Sequence, residues 1–422
     1  MMIQRFLQIL LINLLGSVYS FSSPNFLRRS SCSHLLLSSS NSNDWMASLR
    51  ARQLELDKQQ EVLDYNWRNS KCESTMPLSF PDWVRRLDVG DYPIAAIGSS
   101  SGNVFCANLE TGKAIARTKN QEDEVELDGQ EELMRTLFSS YDGGGTLAIA
   151  MHKMLICSSS RQGSVQIWRL DPNETELISQ GSIQALQGVI VTCLELDDDY
   201  LWVGTADGRL QAYPHQSSEM PLALQTKPAM EWNLGSTILS LSLCPEMGHG
   251  VASTAKGTVE LFSMEDDDAV VAQWKPPLGS NDRQSSNCYI LSCILVPYKD
   301  ERGGYAMVCG CNDGCIYMQP LNYENGMFVD DDLILKSAGR QLQPRHSGVV
   351  KCLATPVPGV MLSGGQDGSL RVWNISENDS HYLYQFIGYK VWLGTLWTDG
   401  SRVVSDGADN SIIVHDFSDT DR

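Results

Sequence analysis

The stretch Leu362-Ser363-Gly364-Gly365-Gln366-Asp367-Gly368-Ser369-Leu370-Arg371-Val372-Trp373 decides how this chain folds. An apolar run enters small residues, Asp-Gly makes a tight turn, and a second apolar run leaves it. Asp-Gly suits such a turn because it tolerates positive φ, where a bulky β-carbon would be strained. Leu370 and Val372 alternate with Arg371, the period-two pattern of a strand. Upstream stand Arg345-His346-Ser347-Gly348 and then an apolar run, Val349-Val350-Lys351-Cys352-Leu353. The unit therefore reads as a strand followed by a hairpin.

The pattern occurs seven times. Its turn residue falls at Gly102, Gly163, Gly208, Gly257, Gly314, Gly368 and Asn410, at intervals of 42 to 61 residues. Asp207, Asp313 and Asp409 precede the turn residue in three copies, as Asp367 does in the sixth. Each copy has an apolar strand before its hairpin, as in Leu239–Leu243, and each of the first six has another after it, as in Val270–Trp274. Four-stranded units of this kind cannot bury both faces alone, so they must stack. Stacking in a ring protects the sheet edges. The expected fold is all-β: a seven-bladed β-propeller of four-stranded antiparallel blades over 76–418, preceded by a short N-terminal helix.

The sixth copy resembles the WD-repeat (tryptophan–aspartate repeat) β-propeller family. The resemblance implies a hydrogen-bonded tetrad of His346, Ser363, Asp367 and Trp373 with a structural role. It also implies a non-enzymatic scaffold or adaptor that presents loops to protein partners. Other copies depart from the pattern. The first lacks a turn Asp, the fourth has Lys256 there, and the last has His415 in place of Trp. Propellers of the family close by lending an N-terminal strand to the last blade, and Met76–Trp83 is expected to do so here.

The N-terminus reads as an address. Residues 1–20 carry Arg5 and then the apolar run Phe6–Leu15, the layout of a signal peptide. Residues 21–43 are Ser-rich, with Arg28 and Arg29 and no acid, which is transit-peptide composition. The pair resembles the bipartite presequence of algae with secondary plastids and implies a plastid location; the alternative is secretion. Residues 44–75 read as a helix and linker. Trp45, Leu49, Leu56, Leu63 and Trp67 form one stripe, which packs on the propeller rim or docks a partner. Asn66–Cys72 resembles the linker before the propeller in F-box/WD proteins, but too little chain precedes it for an F-box. A substrate receptor of a ubiquitin-ligase-like complex is thus a minor alternative.

Charge narrows the partners. With 51 acidic and 32 basic side chains, the net charge is −19. Nucleic acid and anionic membrane surfaces require clustered cations, so both are disfavoured. No stretch is long enough to span a bilayer. An acidic insertion at 119–142 explains the longest interval. Candidate partner contacts are Tyr382, Tyr384, Trp392 and Trp397, some of which are expected to pack between blades.

No catalytic, cofactor or metal signature emerges. Cys309, Cys311 and Cys315 lack the second ligand pair of a zinc site and default to the core. The seven His are dispersed, no nucleophile elbow is present, and Gly143-Gly144-Gly145-Thr146 lacks the Lys of a phosphate loop. The competing class is an enzyme at the channel mouth, recognisable by converging His and carboxylates with shifted pKa values.

Overall fold

The computed structural model describes residues 42–418, except 81, 119–144, 161–162, 172, 174–175, 217–219, 266–269, 278–287, 300–302, 325–326, 329–338, 390–392 and 409. Residues 1–41, the acidic insertion, Trp392 and Asp409 lie outside the described residues.

Seven four-stranded antiparallel sheets form a ring. Their inner strands are Val84–Val89, Thr146–His152, Val191–Leu196, Ile238–Cys244, Ile290–Pro297, Val350–Ala354 and Leu396–Thr398. Each lies against the inner strand of the next blade, and Val84–Val89 meets Leu396–Thr398 to complete the circle. Within blade 6 the chain runs outward through Val360–Gly365, Ser369–Asn374 and His381–Ile387.

Closure differs from the expected register. The lent strand is Glu73–Ser79, three residues earlier than Met76–Trp83, and it pairs antiparallel with Ser411–Asp416. Glu73 stands opposite Asp416 and Ser79 opposite Ser411, with a register shift between Thr75 and Leu78. This strand is mostly exposed, so no buried alternation marked its limits. Trp83 lies beyond it and is exposed.

The turn residue has positive φ in all seven copies, from 61° at Asn410 to 91° at Gly208. A second constraint acts on some of these turns. A β-carbon at Gly314 would sit 2.1 Å from the His346 carbonyl oxygen, and one at Gly368 would sit 2.5 Å from that of Tyr389. The hairpin of one blade therefore touches the chain entering the next.

The core is divided by the ring. Among the described residues, seven apolar clusters each fill one gap between neighbouring blades. Trp202, Trp232 and Phe262 pack between blades 3 and 4, for example, and Trp373 and Met318 between blades 5 and 6. Each blade buries its faces mainly against its neighbours, as stacked repeats require.

Among the described residues, the helix Ser42–Arg68 docks through its C-terminal end. Trp67 is fully buried and Leu63 packs beside it, whereas Leu49 is exposed. Asn66 Nδ2 donates to the Phe417 carbonyl (2.9 Å), and Lys299 Nζ reaches Asp64 (2.7 Å). Arg68 reaches Asn374 Oδ1. The helix thus bridges blades 5, 6 and 7 on the face opposite the glycine turns. Of the stripe expected from the sequence, the Trp45 side chain lies outside the described residues, and among the others Leu63 and Trp67 pack on the propeller while Leu49 is exposed.

Candidate functional site

The glycine-turn face is organised by polar clips, and blade 6 holds the expected tetrad. Trp373 Nε1, a donor only, gives its hydrogen to Ser363 Oγ (2.8 Å). Asp367 is an acceptor, so His346 Nδ1 donates to it (3.0 Å). His346 Nε2 is then left to accept from Ser363 Oγ (2.8 Å). Burial holds His346 below its ordinary pKa, which keeps this tautomer neutral. Burial alone would raise Asp367, but hydrogen bonds from Ser369, His346 and the Ser347 N–H outweigh it and hold the carboxyl at about 2. The histidine is enclosed, and its hydrogen-bond partners are Ser363, Asp367 and Ser369 of its own blade.

Copies that lack the motif carry substitutes. In blade 1 the missing turn Asp is replaced by Asp82 from the entering chain, which accepts from Ser100 Oγ (2.5 Å), the Ser101 N–H (3.0 Å) and Ser101 Oγ. In blade 4, Glu260 accepts from Thr258 Oγ1 and Gln273 Nε2, both at 2.7 Å. In blade 7, His415 Nδ1 meets Ser74 Oγ of the lent strand (2.7 Å), and Nε2 meets the Tyr389 hydroxyl (2.8 Å). Burial lowers the His415 pKa to about 4, so it closes the ring as a neutral imidazole. Asp197 caps a hairpin and accepts from Trp202 Nε1 (2.8 Å).

The inner strands begin on the same face, and there they gather charge around the channel. Arg85 and Lys351 occupy equivalent positions on the inner strands of blades 1 and 6, each between the two residues where the register shifts. Arg86 follows, its Nε donating to the Leu147 carbonyl and its Nη1 to the Arg85 carbonyl, both at 2.8 Å. Asp406 of blade 7 accepts from the N–H groups of Gly394 and Thr395, both at 2.9 Å. Burial raises Asp406 to about 6, against those two hydrogen bonds and the charge of Arg86. Lys351 is pushed below its ordinary value by burial and by Arg86. Among the described residues, Arg85, Arg86, Lys351 and Asp406 therefore gather at this mouth, in a chain whose net charge is −19.

Two acids lie deeper. Asp88 accepts from the N–H groups of Met151 (2.7 Å) and Val89 (2.8 Å), tying blade 1 to blade 2. Burial raises it to about 7. Burial and Asp88 together raise Glu195 to about 8. At the same level blade 2 presents only Ala150, so the two acids are near enough to repel.

The candidate contact aromatics are largely engaged within the fold. Tyr382 packs edge-on against Trp373, Tyr384 donates its hydroxyl to the Trp67 carbonyl, and Trp397 packs between blades 7 and 1. Sequence reasoning missed Arg85, Arg86 and Lys351, because their convergence exists only once the ring closes.

No protein-family model matches the chain, and no curated protein matches it. Among solved structures, the chain is similar to the crystal structure of the computationally designed Ika8 protein at 16% identity and a TM-score of 0.48. That similarity covers 81% of this chain and 99% of the designed one. No helix among the described residues is long and apolar enough to cross a membrane.

Proposed function

We propose that this propeller is a non-enzymatic scaffold whose channel mouth, on the glycine-turn face, receives an acidic segment of a partner protein. The observation that carries the reading is the grouping of Arg85, Arg86 and Lys351 around one carboxylate in a strongly acidic chain. Guanidinium groups bind carboxylates with two parallel hydrogen bonds, and attraction is stronger where water is partly excluded. A fixed ring of blades supplies a rigid frame for such groups, at little ordering cost on binding.

The test is binding of a fluorescent Glu-rich peptide to the full chain. Affinity falls as salt rises, and the double charge reversal Arg85→Glu/Lys351→Glu weakens it about 10-fold or more, equivalent to roughly 1.4 kcal/mol. Equal affinity of the variant and wild type would sink the reading.

A second reading, an enzyme at the channel, draws support from Asp88 and Glu195, whose raised pKa values suit proton transfer near neutrality. Against it, Asp88 is engaged by two backbone N–H groups, and no His joins the pair among the described residues. The ubiquitin-ligase-like reading is weaker, because Asn66 and Trp67 are spent on docking to the propeller. We place the scaffold in the plastid, with secretion as the alternative. Residues 1–43 fused to a fluorescent protein test this by where the signal accumulates.

A further inference from the structure

Blade 5 carries thiols where blade 6 carries its polar clip. Cys309, Cys311, Asp313 and Cys315 stand at the positions of Ser363, Gly365, Asp367 and Ser369, counting from the turn glycines Gly314 and Gly368. In blade 6 a β-carbon at Gly365 would lie 2.5 Å from His346 Nδ1 and 2.7 Å from Asp367 Oδ1. The side chain of Cys311 occupies the corresponding space and aims at that spot. What it meets there is Cys288, from the chain entering blade 5. The Cys288 sulfur, the Cys311 sulfur and an Asp313 oxygen all lie within 4.8 Å of one another.

The three groups are held in place independently. Next to Cys288, the Tyr289 N–H donates to Asn312 Oδ1 (2.8 Å), and the Tyr289 carbonyl accepts from the Asn312 N–H (3.0 Å). This clamp fixes Cys288 over the turn. Asp313 Oδ1 accepts from the Cys315 N–H (3.0 Å). Cys315 is a further thiol beside the turn, and its sulfur accepts from Gln341 Nε2 (3.0 Å). Cys311 is buried, Cys288 is half-buried and Asp313 is exposed, so a fourth position opens to solvent.

We infer that Cys288, Cys311 and Asp313 form a binding site for a soft divalent cation of the zinc type. Two thiolates and a carboxylate suit such an ion, whose tetrahedral ligands sit about 2.0–2.3 Å from the metal. Ligand atoms that converge within 4.8 Å need only small movements to reach that geometry. Binding displaces the two thiol protons to solvent as the thiolates take the cation. The sequence reading found no second ligand pair near Cys309–Cys315. The fold supplies a second thiol from Cys288, in the chain entering the same blade.

The test uses the reduced full chain with Co2+ as the probe and Zn2+ as the competitor. One equivalent of Co2+ should produce thiolate-to-cobalt charge-transfer absorption, and Zn2+ should abolish it. Cys288→Ser/Cys311→Ser should lose the absorption, while Cys157→Ser, a buried thiol in blade 2, should keep it. If the double variant does not fold, Asp313→Asn, altered at an exposed side chain, should still weaken Co2+ binding about 10-fold or more. Absence of the absorption in the wild type, its survival in the double variant, or undiminished affinity in Asp313→Asn would overturn the assignment.

Discussion

The indole of Trp67 lies flat on the ring of Phe417, with centroids 3.6 Å apart and planes 17° apart. Its Nε1 also donates to the Gly400 carbonyl (2.8 Å). One residue of the N-terminal helix thus covers the end of the last strand, a few residues before the chain enters the lent strand Glu73–Ser79. The propeller is closed twice: by strand pairing through Ser411–Asp416 and by an aromatic stack beneath it.

Removing residues 1–79 should therefore lower the melting temperature sharply, because it strips the outer strand of blade 7 and uncovers Phe417. Trp67→Ala alone should cost about 3–5 kcal/mol, the range for truncating a buried aromatic. Thermal melts of both variants check this, and unchanged transitions would refute the double closure.

The blade 6 tetrad is a chain of donors and acceptors with no spare member. Trp373→Phe keeps the ring but leaves Ser363 without its indole donor, and should cost about 1–3 kcal/mol. His346→Ala strands both Ser363 and Asp367 and should cost more. Urea denaturation measures the order; equal, negligible losses would mean the network does not hold the blade.

Stability should also respond to pH through the channel acids. Burial and Asp88 raise folded Glu195 to about 8, whereas an unfolded Glu titrates near about 4.3. The folded chain then binds more protons than the unfolded chain between these values. The contribution of Glu195 is fully present below the unfolded value and is lost as pH rises towards 8. Glu195→Gln removes the loss, so its melting temperature should exceed the wild type's by an amount that grows from pH 4.5 to 8. A gap that does not change with pH would contradict this.

The parts of the fold that were legible in the sequence are those that local chemistry specifies. A turn requiring positive φ selects Gly or Asn, so seven hairpins could be counted from Gly102 to Asn410 before any contact was known. The tetrad was legible because His346 precedes an apolar strand, Ser363 lies within the next one and Asp367 makes the turn after it, in the spacing the family resemblance implies. Convergence across the ring was not legible. Asp82 replaces a turn Asp from outside its hairpin, and Cys288 meets Cys311 only because Tyr289 is clamped to Asn312. Arg85 and Lys351 come together from opposite ends of the chain. The limits of the lent strand were hidden for another reason: it is paired by its backbone and buries little, so its side chains carry no pattern.

The scaffold account is tested most directly by cross-linking the intact protein in its native compartment, beside Arg85→Glu/Lys351→Glu at equal abundance. The account predicts that the wild type is cross-linked at the channel mouth to an acidic segment of a partner protein, and that the variant loses that partner while its melt is unchanged. An identical set of partners for both proteins, or no protein partner for the wild type, would contradict it.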